Sequence, residues 1–354
     1  MQEEEKWMRR CIELASAGLG HVAPNPLVGS VIVCDSMIVG EGYHQRFGEA
    51  HAERNAITDA LRKNPMLDFS SCTLYVNLEP CNHTGKTPPC TEEIIRRKFG
   101  KVVIGSEDPN PLVNGSGVRR LRENGIEVVS GILQQESEEL NKRFFTFHRQ
   151  KRPWIILKFA QSLDGFIAPA NITEENRWLS NPFSRRLVHK WRSEEQAIMA
   201  GTNTIRTDNP FLTVREWSGK NPLRIIIDRN LSLGKQLNVF NPDAPMIVLN
   251  EIENRIDQHL EYVKITFNAD FISVVMKILA DRGIQSLIVE GGARLISEFT
   301  LTGIWDEARI FIADKWLGEG VSSPLIPGKE ISKTMIGTDQ LLFIQNQSKH
   351  EFTN

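Results

Sequence analysis

TLYVNLEPCNHTGKTPPCTEEIIRRKFGKVVIGS, residues 73–106, decides the architecture of the first half of this chain. TLYVNL (73–78) is a β-rich run of strand length. Residues 79–89 carry Pro80, Gly85, Pro88 and Pro89 and read as a loop. A helix is predicted over 91–99, and KVVIGSEDP (101–109) reads as a strand and turn. Working upstream, VGSVIV (28–33) and MIVGEGY (37–43) flank Asp35-Ser36 at hairpin spacing. Residues 51–62 show a helical pattern, with Ala52, Ala56 and Ala60 beside Ile57 and Leu61. Trp7, Cys11, Leu14 and Ala15 form one apolar stripe of a helix over about residues 4–17. Downstream, 116–124 reads as helix and IEVVSGIL (126–133) as strand. This alternation predicts a layered α/β domain.

Residues 134–150 form a charged helix ending in Phe144, Phe145 and Phe147, read as a linker. A second α/β pattern starts at Pro153. Strands are predicted at 154–160, 196–200, 223–228, 245–249, 285–290 and 307–313, and helices at 181–193, 270–282 and 293–301. With 354 residues, the length prior is about two domains, divided here into 1–148 and 149–354.

Composition narrows the function. The chain carries 42 basic and 44 acidic residues, a net charge of -2. Binding to a phosphate backbone asks for a basic excess that is missing, so nucleic acid is not expected as a partner. No apolar run approaches the roughly 20 residues of a membrane span, so no membrane partner is expected. The start, MQEEEKWMRR, lacks the basic-then-apolar order of a secretory leader. Five cysteines at uneven spacing do not suggest a disulfide framework. Cys11 and Cys34 read as inert buried thiols, and Cys72 shows no partner. A reducing cytoplasm is the expected compartment.

The chemistry concentrates in His51-Ala52-Glu53, Pro80-Cys81 and Cys90. One imidazole and two thiolates make three protein ligands, which suits a catalytic Zn²⁺ keeping a fourth position for water. Two thiolates offset the ion's charge while it still acidifies that water. Glu53 lies two residues from His51, about 200° around a helix, and is not expected to bind the same ion. At a helix start it can carry protons, as adding water to an amidine carbon and expelling ammonia require. Cys90 precedes a predicted helix, whose N-terminus favours a thiolate.

This pattern resembles the zinc nucleobase deaminases, whose signature is His-x-Glu then Pro-Cys-x-x-Cys. Here eight residues, not two, separate the cysteines, and the inserted NHTGKTPP adds donors suited to an anionic or hydroxyl-rich substrate. With PNPLVG (24–29), GYH (42–44) and EPCNHTGKTPPC (79–90), residues 1–150 resemble one half of a bifunctional riboflavin-biosynthesis family. That family joins diaminohydroxyphosphoribosylaminopyrimidine deaminase to 5-amino-6-(5-phosphoribosylamino)uracil reductase. The resemblance implies a cytidine-deaminase-like three-layer α/β/α fold. It also implies zinc-hydroxide deamination, zinc on His51, Cys81 and Cys90, Glu53 as catalytic residue, and substrate contacts at Asn25, His44, His83 and Lys86. Thr84 stands where the family usually has an aromatic residue.

The second half opens WIILKFAQSLDGFIA (154–168), which resembles the reductase half of the same family. RWLS (177–180), HKWRSE (189–194), MAGTNTIRTDNPFLTVR (199–215) and IVEGGARL (288–295) match too. In the last, a strand runs into Gly291-Gly292 and a helix start, where backbone can approach a phosphate and helix N–H groups bind it. The resemblance implies a dihydrofolate-reductase-like α/β fold that uses NADPH. Its cofactor contacts would be Ala160, Trp178, Thr204, Asp208, Gly292, Ala293, Arg294, Leu295, Ile296, Ser297 and Glu298. Its substrate contacts would be Asn176, Arg192, Leu212, Arg215 and Glu290, with the two arginines gripping the substrate phosphate in fork geometry. Asn176 stands where the family usually has serine, and Lys158 reads equally well as a structural strand lysine.

The expected protein is therefore a cytoplasmic homo-oligomeric enzyme acting on a small phosphoribosylated pyrimidine. It would deaminate the ring of 2,5-diamino-6-(5-phosphoribosylamino)pyrimidin-4(3H)-one and then reduce the ribosyl chain to ribityl. One alternative is a tRNA or nucleobase deaminase with a non-catalytic C-terminal binding module; another is a zinc-stabilised scaffold without activity.

Overall fold

The computed structural model describes residues 2–83, 88–111, 113–171, 173 and 178–347. The chain divides into two compact units, one up to Lys151 and one from Arg152.

In the first unit, α1 (Gln2–Ser16) leads into β1 (Gly29–Cys34) and β2 (Met37–Tyr43). Then follow α2 (Ala52–Lys63), β3 (Thr73–Leu78), α3 (Cys90–Arg96), β4 (Lys101–Ser106), α4 (Ser116–Glu123) and β5 (Glu127–Ser130). The sheet order is β2-β1-β3-β4-β5. β1 runs antiparallel to β2 and β3, whereas β3, β4 and β5 are parallel. Strand alternation divides the core into two apolar layers. Ile32, Leu74, Val76, Val102 and Ile104 pack with Ala56, Ile57 and Ala60 of α2, Ile94 of α3 and Leu121 of α4. Val31, Val33, Tyr75 and Val103 face Trp7, Met8 and Cys11 of α1. The result is the three-layer α/β/α arrangement.

Two expectations are corrected here. Residues 134–150 are not a linker. They form α5 (Gln134–Leu140) and α6 (Lys142–Gln150), both inside the first unit. Phe144 and Phe145 pack on Leu78. The break falls at Asn141, whose buried amide exchanges two hydrogen bonds with Leu27, at 2.8 and 2.9 Å. Second, Cys34 and Cys72 are not separate thiols but a disulfide. Val33 pairs with Thr73 across β1 and β3, so the next residue outward on each strand meets its counterpart, with Cα atoms 4.5 Å apart. Cys11 is free and buried as expected.

The second unit begins with β6 (Trp154–Gln161), β7 (Phe166–Pro169), α7 (Pro182–Glu194), β8 (Ala197–Gly201) and α8 (Thr202–Asp208). It continues with β9 (Leu223–Ile227), β10 (Met246–Asn250), β11 (Arg255–Asp257), β12 (Leu260–Lys264) and α9 (Phe271–Asp281). β13 (Ser286–Glu290), α10 (Ala293–Thr302), β14 (Glu307–Ile312), β15 (Gly320–Ser322), β16 (Lys329–Ile336) and β17 (Asp339–Gln345) complete it. Ten strands form one sheet in the order β11-β12-β10-β9-β8-β13-β6-β14-β17-β16. The run from β12 to β14 is parallel throughout. Such strands, buried on both faces, read as continuous apolar runs. Ile155, Leu157 and Phe159 face α9 and α10, while Ile156, Ile198 and Ala200 face Val188 and Trp191 of α7. Among the described residues, no helix is long and apolar enough to cross a membrane.

Candidate active sites

His51 is the N-cap of α2, and Glu53 lies in its first turn. The chain leaves β3 through Glu79-Pro80 to Cys81, and Cys90 opens α3. His51 Nδ1 lies 3.5 Å from Cys81 Sγ and 3.4 Å from Cys90 Sγ. The three donor atoms all fall within 4.8 Å of one another. The Cys90 amide donates to Cys81 Sγ at 3.3 Å. One imidazole nitrogen and two thiols converging at a helix start form a donor set that fits zinc.

The electrostatics of this cluster are those of thiols in close contact. A hydrogen bond from Cys90, joined by His51, brings the Cys81 thiol down to about 4. The Cys90 thiol is pushed up by Cys81 and by burial. The bond to Cys81 raises His51. Glu53 is 3% exposed, and its Oε2 has no hydrogen-bond partner among the described residues. Burial raises its carboxyl, and the Cys81 thiolate adds to the effect. An unpartnered buried carboxylate oxygen beside the donor cluster can take and return a proton.

The other predicted residues of this site are placed unequally. His44 is buried with its ring centroid 5.3 Å from that of His51. Its Nδ1 lies 3.1 Å from the Ala50 carbonyl and its Nε2 3.1 Å from Asn25 Nδ2. The carbonyl can only accept, so the proton sits on Nδ1 and Nε2 accepts from Asn25. Asn25 and His44 therefore form one polar wall beside the cluster. His83 is exposed, and Lys86, like Thr84, lies outside the described residues.

Glu79 was missed by the sequence reading. Its buried carboxylate accepts from the amides of Asp108, Gly115, Gly117 and Val118 at 2.9–3.2 Å. It thereby ties the start of α4 to the residue pair that leads into Cys81. The signal was a carboxylate directly before Pro-Cys, with glycines at 115 and 117 offering bare amides. Burial lifts the neighbouring Asp108 carboxyl to about 7.

In the second unit, the predicted residues gather beyond the carboxyl ends of the adjacent strands β8, β13 and β6. Open parallel sheets take their ligands at this edge. Ala160 is near the end of β6, Thr204 lies in the α8 that follows β8, and Glu290 ends β13. The Gly292 amide donates to Thr204 Oγ1 at 2.9 Å. Gly292 caps α10 with φ -65, an ordinary value, and a Cβ there would meet only Thr204 Oγ1 at 3.7 Å. The demanding glycine is its neighbour. Gly291 has φ +130, and a Cβ there would lie 2.7 Å from Thr204 Oγ1. Leu295 and Ile296 point into the core, so any contact they make with a ligand is through backbone. The amides of Ala293, Arg294 and Leu295 precede the first intrahelical bond, from Ile296 to Gly292. Ser297 and Glu298 lie in the next turn. Asp208 ends α8, and Trp178 is exposed with the Arg185 guanidinium 5.1 Å from its ring.

The substrate residues differ from the expected picture in one respect. The Arg192 fork is engaged by Glu290 at 2.8 and 3.2 Å, and its Nη1 donates to the Thr213 carbonyl at 3.3 Å. Burial would raise the Glu290 carboxyl, but Arg192 and Lys158 outweigh it and hold it near 2. Lys158 pairs with Glu290 across β6 and β13, and burial lowers its ammonium. Arg215 lies over the Phe211 ring at 4.9 Å with its Nη1 3.5 Å from Thr213 Oγ1, and, unlike Arg192, it forms no ion pair with a carboxylate among the described residues. Leu212 is buried with φ +56, its side chain packed in the core cluster that also holds Ile205 and Val239. Asn176 lies outside the described residues.

Two family models match. The cytidine and deoxycytidylate deaminase zinc-binding region covers residues 1–106, and the RibD C-terminal domain covers 153–349. The riboflavin biosynthesis protein RibD of Aquifex aeolicus is 41% identical, over 90% of this chain and 89% of its own length. That of Escherichia coli is 36% identical over 89% of each. A crystal structure from Thermotoga maritima superposes with a TM-score of 0.89 at 38% identity, covering 98% of this chain and 99% of its own. It is a diaminohydroxyphosphoribosylaminopyrimidine deaminase/5-amino-6-(5-phosphoribosylamino)uracil reductase. A zinc-type deaminase half followed by a reductase half, aligned over nearly the whole length of these relatives, places the chain in the RibD family of bifunctional riboflavin-biosynthesis enzymes.

Proposed function

We propose that the first unit removes an amino group from the ring of 2,5-diamino-6-(5-phosphoribosylamino)pyrimidin-4(3H)-one. The second unit then reduces the ribosyl chain of the product to ribityl, using NADPH. The observation that carries this reading is the convergence of His51 Nδ1, Cys81 Sγ and Cys90 Sγ within 4.8 Å, beside the unpartnered buried carboxylate oxygen of Glu53.

His51, Cys81 and Cys90 would hold the zinc, with the start of α3 favouring the Cys90 thiolate. Zinc bound there supplies Lewis acidity that makes water nucleophilic near neutral pH. Glu53 Oε2 takes a proton as water adds to the ring carbon and returns it to the departing nitrogen. Burial suits Glu53 to both steps, because it brings the carboxyl's proton affinity closer to that of the groups it serves. Asn25 and His44 orient the ring through their polar edge. His83 and Lys86 contact the phosphoribosyl part.

In the second unit, the first-turn amides of α10 and the Thr204 hydroxyl fit a dinucleotide phosphate. Ala160, Trp178 and Asp208 complete the cofactor contacts. NADPH supplies the hydride, and the protein's task is to orient it. Arg215 takes the substrate phosphate, while Arg192 and Glu290 act as one buried pair that shapes the substrate's place, with Lys158 beside them. Leu212 and Asn176 are the remaining substrate contacts of this reading.

The working compartment is the cytoplasm, which keeps Cys81 and Cys90 as thiols; the buried Cys34–Cys72 bond is shielded from reductant. A homo-oligomer is expected, and the exposed strand β16 at the sheet edge, with Ile331 and Met335 outward, leaves room for one. The two halves, 1–148 and 149–354, should be separable. Because α6 runs to Gln150, the cut is best made after Lys151.

The test is to give the zinc-loaded chain the phosphoribosylated diaminopyrimidine. Ammonia should appear without NADPH, and NADPH oxidation should follow only after ammonia release. A zinc-replete, folded protein that releases no ammonia would overturn the reading.

A further inference from the structure

His189 was not assigned by the sequence and takes no part in the chemistry above. It lies on α7, three residues before Arg192, so both side chains leave the same helix face. Its side chain is 5% exposed. Its Nδ1 accepts the Arg215 backbone N–H at 3.1 Å. One turn on, Arg192 donates to the Thr213 carbonyl. From the other side, Asn221 Oδ1 accepts the Val214 amide at 2.8 Å. Three successive residues are thus each held at the backbone, and two of the three holds come from one face of α7.

We propose that His189 is a positioning residue of the reductase: by accepting the Arg215 amide it fixes the base of the Arg215 side chain, and so aims that guanidinium at the anionic group of the substrate. This rests on the reading of Arg215 as the phosphate contact. A peptide N–H can be accepted only by a bare ring nitrogen, so the device works while Nδ1 carries no proton. The surroundings keep it so. Burial first, then the Arg192 and Arg215 cations, bring His189 down to about 4, against the smaller pull of Glu216 and Glu290. Those four are the charged groups that bear on it, from α7, from the segment after Thr213 and from β13. The opposite ring nitrogen, Nε2, lies 3.9 Å from Glu216, which favours the proton on that side. Leu212, buried at a positive φ, anchors the other end of the segment.

The experiment uses the full chain and separates aim from fold. His189→Phe keeps the ring volume and loses the acceptor; His189→Asn offers an amide oxygen near the position of Nδ1. For the phosphorylated reductase substrate, the Phe variant should raise KM about tenfold, the size of one lost hydrogen bond to a charged group's support. Its kcat should stay within about twofold of the parent and its NADPH affinity should be unchanged, since only substrate binding is touched. The Asn variant should bring KM back to within about threefold of the parent, because the acceptor is restored. Against a substrate analogue lacking the phosphate, the Phe variant and the parent should behave alike. Arg215→Ala serves as the reference. If it raises KM and His189→Phe does not, or if the Asn variant is as poor as the Phe variant, the positioning role is wrong while the phosphate reading stands. If Arg215→Ala leaves KM unchanged, the phosphate reading has failed and the proposal falls with it. If both His189→Phe and His189→Leu fail to fold, the contact is a requirement of folding and the proposal is overturned.

Discussion

The two halves of the chain build their sites in opposite ways. In the deaminase half, three side-chain donors from two short segments meet within 4.8 Å, and the fold's task is to bring a helix cap and a loop together. In the reductase half, the proposed contacts run from Ala160 to Glu298 and depend largely on backbone: first-turn amides of α10, a positive-φ glycine, and a loop held by its peptide groups. A ligand cluster is written in residue types, whereas a backbone site is written in conformation. The difference teaches that single substitutions should fail sharply in the first half and by degrees in the second.

The largest effects are expected at the cluster. Cys81→Ser should strip zinc and abolish deamination, while Glu53→Gln should keep zinc and still slow deamination by about 10²–10⁴-fold, the usual worth of a positioned acid-base group. Metal analysis alongside ammonia release decides it. Equal zinc loss in both variants would make Glu53 part of the ligand set and dissolve the division of roles. Reduction of NADPH-dependent turnover in either variant, when supplied with deaminated substrate, would break the comparison from the other side.

This contrast also explains what the sequence disclosed. His51, Glu53, Cys81 and Cys90 were legible because metal chemistry restricts residue types, whatever surrounds them. The inner strands were legible because both their faces are buried, so β8, β10 and β13 carry apolar runs and β6 is apolar from Trp154 to Ala160 but for Lys158. The Cys34–Cys72 pair was not, because it depends on the register of β1 against β3, across 38 residues. The break at Asn141 was hidden because its cause is Leu27, far away in sequence. β16, reading KEISKTMI, was missed because it is exposed along almost its whole length, with Ile331 and Met335 set among charged and polar residues and no buried apolar run to betray it. His189 escaped because a neutral acceptor of one peptide N–H has no signature until the loop it holds is seen.

A second prediction tests whether the first half relies on its cluster alone. Cys34→Ser should destabilise the deaminase half by about 2–4 kcal/mol, as for closing a loop of this length. Thermal loss of ammonia release should come several degrees earlier while the zinc content at low temperature stays the same. An unchanged midpoint would mean that the two thiols are not bonded in the folded protein.

The third prediction sharpens the backbone reading of the second half. Gly291→Val forces a side chain into a positive-φ position and against Thr204, and should cost about 1–3 kcal/mol, much of it as lost NADPH affinity. Gly292→Ala meets neither obstacle and should stay within about threefold of the parent in affinity, an effect below 1 kcal/mol. Fluorescence titration of NADPH reads both variants, with deamination as the internal control. If Gly292→Ala proves the worse of the two, the close approach to the phosphate is at residue 292 after all.

A pH effect, confined to acid conditions, separates the halves by the groups they bury. His189 stays neutral in the folded protein down to about 4, whereas an ordinary histidine takes its proton near 6.5. Between those values the unfolded chain binds a proton that the folded chain does not. Stability therefore rises with pH across this window and falls as pH drops from 6.5 toward 4, with a limiting slope of about 1.4 kcal/mol per pH unit for one group. Arg192 and Arg215 deepen the effect, while Glu216 and Glu290 oppose it. Glu290 itself, held near 2, adds a loss of the same sign only below its own ordinary range near 4.5. Replacing His189 by Asn removes the first contribution and leaves the second. The temperature at which NADPH binding is lost should thus depend less steeply on pH in the Asn variant between 6.5 and 4.5, and in parallel with the parent below that. Parallel curves throughout would show that the ring is protonated in the folded state like any surface histidine, and that the Arg215 amide finds its acceptor elsewhere.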